Sequence, residues 1–248
     1  MLVPLYEAAY DRLDVGSGSR LLGLGCGSGL ALLMATARGA AVTGCEPDEQ
    51  RLALARERLL PEPRWGAPAT ARARAARLLP GGPQLLPAAT EPFTIVTVLD
   101  PAARSDVLAP ALSAAARLCE PGTPVVLTGW GPSERCATHR ILRVAGRLAE
   151  PRGPAGRLRL SGRDDLEDLA LGAGLRPDGS GRVSCPFGYA DMDSAVRGML
   201  STRLFDDAVA ATDQEQVEKE LAEALHAYRR PHGGVWMENV FRYLIARA

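Results

Sequence analysis

Lysine is almost missing from this chain: Lys219 is the only one, and arginine supplies the rest of its 29 basic residues. An equal 29 acidic residues cancel them, so there is no charge excess of the kind that draws a protein to nucleic acid or to an anionic membrane. Aromatic residues are sparse at 5 %, with no basic stripe interleaved with aromatics and no N-P-P-Y-like run, which argues against a nucleic-acid partner. The five cysteines, at 26, 45, 119, 136 and 185, include no C-x-x-C, and their odd number leaves one over in any disulfide scheme; reduced thiols are expected. Only three histidines occur, with no H-x-x-x-H, and Asp191 with Asp193 alone would not hold an ion, so no metal site is expected. No run approaches the roughly 18 apolar residues of a membrane span. The opening MLVPLYEAAYD lacks the basic start of a signal peptide, so the expected location is cytoplasmic, away from membranes.

What is present, 46 % apolar and 23 % charged over 248 residues, suits a globular protein with room for one large α/β domain. Leu2 to Leu13 carries Leu5, Ala9 and Leu13 on one helical face. A GSGS turn leads to RLLGLGC, an apolar run of the kind buried in a parallel sheet. A helix over 29–38 closes at Gly39, and AVTGCEP reads as a second strand. Asp48 is placed to cap the next helix, EQRLALARERLL, which stops at Pro61. Between Pro61 and Thr90 no strand is evident. FTIVTVLD, VVLTGW, GRVSCPF and the closing NVFRYLIAR read as further strands, with helices across 102–118, 133–148 and 163–173. The stretch from about 188 to 234 is mostly helical and is expected to form a cap inserted before the last strand of a single domain, 1–248. Strand–helix alternation of this kind predicts a doubly wound sheet with right-handed crossovers.

In such a sheet a ligand sits off the carboxyl ends of the strands, where the strand order reverses. The glycines of LGLGCGSG, Gly23, Gly25, Gly27 and Gly29, leave the first strand at that place. A dinucleotide fingerprint, G-x-G-x-x-G, fails in every register, its last position falling on Ser28, Leu30 or Leu32. An oxidoreductase using a nicotinamide dinucleotide is disfavoured on that ground. Glu46 ends the second strand 21 residues after Gly25, where a carboxylate can accept hydrogen bonds from two ribose hydroxyls.

LLGLGCGSG, AVTGCEPDEQRLALAR, FTIVTVLD, LCEPGTPVVLTGWGPSER and GGVWMENVFRYLIARA, in that order, resemble the class I S-adenosylmethionine-dependent methyltransferases. The likeness is to the ubiquinone/menaquinone-biosynthesis type that acts on small molecules. It spans nearly the whole chain and implies a Rossmann-like α/β fold. The sheet would have seven strands, mostly parallel, with the last one antiparallel. It also implies S-adenosyl-L-methionine as cofactor, S-adenosyl-L-homocysteine as product, and a small-molecule substrate. Carried over residue by residue, Gly25, Cys26, Gly27 and Gly29 would line the methionine part of the cofactor. Glu46 would hold its ribose and Pro47 pack on its adenine. Leu99 and Asp100 would face its amino-acid end and the substrate, and Tyr6 and Tyr10 lie on a leading helix that closes over it. Trp130, Phe187, Tyr189 and Asp191 are candidates for the acceptor pocket.

Two positions depart from the family pattern. The acid usual just before the loop is Gly23 here, and the aspartate usual after the third strand has no counterpart, since no acid occurs between Glu62 and Glu91. Each missing charge-assisted contact is worth about 1.5–3 kcal/mol. A protein that keeps the fold for another role, as a cyclisation or rearrangement catalyst or a partner subunit, therefore stands as the alternative. Methyl transfer draws mainly on alignment in a dry pocket, and a general base is optional for amine acceptors. If one is used, His139, His226 and His232 are the candidates. Nothing in the chain selects between a monomer and a homodimer.

Overall fold

A run of apolar residues without polar alternation suits a strand covered on both faces. Arg20–Leu24 forms such a strand, β1, buried from Leu21 onward. The computed structural model describes residues 2–60, 76–87, 91–101, 105–148, 160–202 and 204–248. Helix α1 (Val3–Arg12) precedes β1, which is followed by α2 (Leu30–Ala37), β2 (Ala41–Glu46), α3 (Glu49–Leu59), β3 (Ala76–Pro80) and β4 (Ile95–Val98). Then come α4 (Ser105–Ala116), β5 (Pro124–Trp130), α5 (Ala137–Leu148), α6 (Asp165–Gly172) and β6 (Arg176–Ser184). The remainder comprises β7 (Phe187–Tyr189), α7 (Met192–Leu200), α8 (Asp206–Ala211), α9 (Gln214–Leu225), β8 (Val235–Met237) and β9 (Val240–Arg247).

Seven strands make one sheet in the order β3-β2-β1-β4-β5-β9-β6, with β9 antiparallel to both of its neighbours and the other pairings parallel. This is the doubly wound, Rossmann-like, mostly parallel seven-stranded sheet that the sequence predicted. The chain winds outward from β1 through β2 to β3, then returns to lay β4 on the other side of β1. The switch point therefore lies at the carboxyl ends of β1 and β4. Along β5, Val125 and Leu127 enter one apolar cluster while Val126 enters another, so the two faces of the sheet carry separate cores.

The sequence reading needs two corrections. A third strand, β3, does lie in the interval where none was evident. Among the described residues it pairs with β2 alone, at the sheet edge, and is only partly buried, so its five residues carry little of the apolar signal of an inner strand. Phe187, Gly188 and Tyr189 leave the main sheet and pair with Val235–Met237 in a small two-stranded sheet. Those two strands frame α7, α8 and α9, which bury Met199, Ala208, Val217, Leu221 and Leu225 against the apolar face of α5. Asp48, Asp191 and Asp213 each accept a backbone N–H in the first turn of α3, α7 and α9. Caps of this kind are worth about 1 kcal/mol each.

Candidate functional site

Two glycines in the strands let the loop sit low on the sheet. A Cβ at Gly44 would come within 2.5 Å of Leu32 and 2.8 Å of the Cys26 sulfur. One at Gly23 would come within 2.9 Å of Leu32 Cδ2. Leu32 is buried, and a side chain at position 23 would require its terminal methyl to shift.

Gly25, Gly27 and Gly29 all have positive φ, at 62°, 56° and 78°. Their surroundings differ. Gly29 abuts α3, with Ala55 Cβ 3.0 Å from where its own Cβ would stand. Gly25 and Gly27 would meet nothing within 4 Å, so their bare backbone borders open space. The loop is tied down from behind, where the Cys26 N–H donates to the Cys45 carbonyl at 3.0 Å.

Glu46 is buried, 4 % exposed, and its carboxylate joins two elements. Oε2 accepts from the Gly27 N–H at 2.7 Å, and Oε1 accepts from the Asp48 N–H at 3.0 Å. The residue singled out for a ligand's sugar thus also fixes the loop against the start of α3. Each carboxylate oxygen can accept a further hydrogen bond. Pro47 beside it is exposed.

Arg51, which sequence reasoning missed, donates from Nη1 to Asp100 Oδ2 at 3.2 Å. Arg51 follows β2 and Asp100 follows β4, the two neighbours of β1, so this ion pair spans the carboxyl end of β1 and its loop. Leu99 beside Asp100 is buried. Tyr6 on α1 belongs to the same group: burial first, and the Asp100 carboxylate second, hold its phenol well above the usual tyrosine range. Tyr10 turns away from it. Its hydroxyl donates to the Ala31 carbonyl at 2.9 Å, the Arg38 guanidinium lies over its ring, and the side chain is fully buried. The Cys26 thiol is pushed up to about 12, mainly by burial and next by Glu46, so it stays protonated at neutral pH.

The remaining sequence candidates lie apart from the loop. Trp130 and Phe187 are buried together with Phe241, ring centroids 4.4 Å apart for Trp130–Phe241 and 6.0 Å for Phe187–Phe241. Tyr189 is half-buried, with its hydroxyl 4.0 Å from the Met199 sulfur. Asp191 caps α7 through the Ser194 N–H at 2.7 Å, and hydrogen bonds from Ser194 hold its carboxyl below the usual range. His226 and His232 are exposed. His139 is half-buried on α5, and its Nδ1 is buried without a hydrogen-bond partner.

Residues 22–127 match the protein family described as methyltransferase domain. No curated protein sequence matches the chain. Among solved structures, a Bacillus halodurans protein described as a methyltransferase aligns with a TM-score of 0.59 at 14 % identity, covering 98 % of this chain and 97 % of its own. Geranyl diphosphate C-methyltransferase from Streptomyces coelicolor, solved with S-adenosyl-L-homocysteine, gives 0.54 at 14 % identity, covering 98 % and 74 %. The [4+2]-cyclase SpnF gives 0.54 at 18 % identity, covering 98 % and 80 %. Among the described residues, no helix is long and apolar enough to cross a membrane.

Proposed function

From a chain with the class I S-adenosylmethionine-dependent methyltransferase fold and a methyltransferase domain in it, we infer a cytoplasmic enzyme that transfers a methyl group to a small-molecule acceptor. The product of the cofactor is S-adenosyl-L-homocysteine. The observation that carries this reading is the pairing of bare backbone at Gly25 and Gly27, open to space, with a buried carboxylate on Glu46 next to it. That combination suits a nucleoside ligand without phosphate. A dinucleotide would instead need its pyrophosphate seated at the start of α2.

S-adenosylmethionine, when bound, supplies an electrophilic methyl group on a sulfonium. The chain's part is to bind, align and exclude water. Gly25, Cys26, Gly27 and Gly29 line the methionine portion in this reading, Glu46 takes the ribose hydroxyls, and Pro47 covers the adenine. Leu99, Asp100 and Tyr6 border the amino-acid end and the acceptor. Tyr10 supports them from behind by holding α1 on α2. Trp130, Phe187, Tyr189 and Asp191 shape and hold the insert above the acceptor, and His139, with a buried unpartnered nitrogen, is the foremost of the three histidine candidates for a base. The Arg51–Asp100 pair would open to admit a ligand. The pair is half-buried and still reached by water, so it contributes on the order of 1 kcal/mol and opening it opposes binding little.

A second reading keeps the fold without methyl transfer, as a cyclisation catalyst or partner subunit. It is favoured by glycine at position 23, where a Cβ would meet Leu32 Cδ2 at 2.9 Å, in place of the acid of the pattern. Calorimetric titration with S-adenosyl-L-methionine and S-adenosyl-L-homocysteine separates the two. Micromolar binding of both, with no binding of NADH, supports methyl transfer. A folded protein that binds neither at millimolar ligand moves the assignment to the second reading.

A further inference from the structure

Four exposed arginines that make no ion pair among the described residues line one pocket. Arg135 and Arg140 come from the turn after β5 and the first half of α5, while Arg229 and Arg230 come from the segment between α9 and β8. The pocket is concave, of about 340 Å3. Elsewhere among the described residues Arg20, Arg38, Arg51, Arg147, Arg242 and Arg247 are ion-paired, while others, Arg12, Arg56 and Arg176 among them, are single surface charges rather than a cluster. None of the four around the pocket has an ion pair or a side-chain hydrogen bond, although Glu134 and Glu238 share its wall. Four guanidinium groups against two carboxylates leave the pocket with an excess of positive charge.

One wall is flat and apolar. Trp236 is 40 % exposed, unusual for so large a side chain, and its ring lies against the backbone of Gly188, where a Cβ would come within 3.0 Å of it. The pairing of β7 with β8 fixes that approach, since Gly188 stands opposite Trp236 in the register. Guanidinium groups match oxyanions in bidentate geometry, and an exposed indole offers a face on which a planar body stacks.

The pocket also lies on the functional rim of the sheet. β5 runs parallel to β1 and β4, and β9 antiparallel to β5, so the end of β5 and the start of β9 stand on the same edge as the glycine loop. Two strand steps separate β1 from β5, about 10 Å.

We propose that this pocket binds an oxyanion, phosphate or carboxylate, on a planar small molecule, and that this molecule is the methyl acceptor. The second half rests on the methyl-transfer reading; the anion site itself does not. Phenyl phosphate and benzoate are the probes, titrated without cofactor by calorimetry and by tryptophan fluorescence. One or both probes bind the wild type, with a fluorescence change that Trp236→Phe abolishes. The double variant Arg140→Ala, Arg230→Ala weakens that binding about tenfold or more while its melting temperature and its S-adenosyl-L-homocysteine affinity stay at wild-type values. Raising NaCl from about 0.05 to about 0.5 M weakens it as well. Probe binding in a wild type that fails to bind S-adenosyl-L-homocysteine would retain the anion site and remove the acceptor role with the methyl-transfer reading. No binding of either probe, or binding untouched by the double variant, overturns the proposal. So does tighter, arginine-dependent binding of a single-stranded oligonucleotide, which would assign the pocket to nucleic acid.

Discussion

Replacing Glu46 by glutamine separates the two jobs this carboxylate is placed to do. Its oxygens accept from the Gly27 N–H at 2.7 Å and the Asp48 N–H at 3.0 Å, in a site only 4 % exposed. Glutamine keeps one acceptor and turns an amide NH2 toward the other N–H, leaving one buried donor without a partner. Such a donor costs about 1–3 kcal/mol. In a chain of this length that lowers the melting temperature by roughly 2–12 °C. Glu46→Ala orphans both donors and loses about twice as much, so the stability order is wild type, Gln, Ala. Binding is affected separately, because a charge-assisted contact to a ribose is worth about 1.5–3 kcal/mol, or roughly 10–150-fold in the dissociation constant. Differential scanning calorimetry of the three proteins, followed by titration with S-adenosyl-L-homocysteine, reads both effects. A Gln variant that melts like the wild type and binds the ligand equally well would refute the reasoning on both counts.

The two loop glycines divide in the same way. Gly27→Ala pays only the left-handed backbone penalty, about 1–2 kcal/mol, and mainly weakens ligand binding; Gly29→Ala adds a clash with Ala55 and loses about 2–5 kcal/mol of stability. Equal melting temperatures for the two would contradict this division. Arg51→Met removes the ion pair over the loop, changes stability by less than about 1 kcal/mol, and raises S-adenosyl-L-homocysteine affinity up to about fivefold; a tenfold loss would show that Arg51 holds the ligand. With its thiol pushed up to about 12, Cys26 carries about a thousandfold less thiolate at pH 8 than a free cysteine. Iodoacetamide labelling mapped by mass spectrometry should therefore find it almost unmodified below pH 9, and labelling as fast as that of a small-molecule thiol would contradict the burial described.

The parts of the site that were readable in the sequence are those written in neighbouring residues. The glycine spacing, the strand before it, the Asp48 cap and Glu46 at the end of β2 all depend on local backbone requirements, and they stand where the pattern placed them. The sheet was legible for the same reason, because inner strands such as Ile95–Val98 are buried throughout and read as apolar runs. What was not legible depends on partners distant in sequence. Among the described residues β3 has a single strand neighbour, and β7 and β8 are three-residue strands that pair across the whole length of the insert. The Arg51–Asp100 pair joins residues 49 apart that no periodicity connects. Trp130 and Phe187 read as pocket residues because aromatics at strand ends often are; here Phe241 from β9 completes a buried aromatic group with them. Gly23 looked like a lost acid, and in the structure the Leu32 side chain on α2 packs over it. The family aspartate after the third strand was sought in 61–90, much of which lies outside the described residues.

A crystal structure of the protein grown with S-adenosyl-L-homocysteine tests the central claim most directly. The account predicts the ligand lying along Gly25–Gly27, its ribose hydroxyls donating to the Glu46 carboxylate and the Arg51–Asp100 pair opened. A well-ordered loop with the ligand absent, or bound elsewhere with Arg51 still on Asp100, would contradict it.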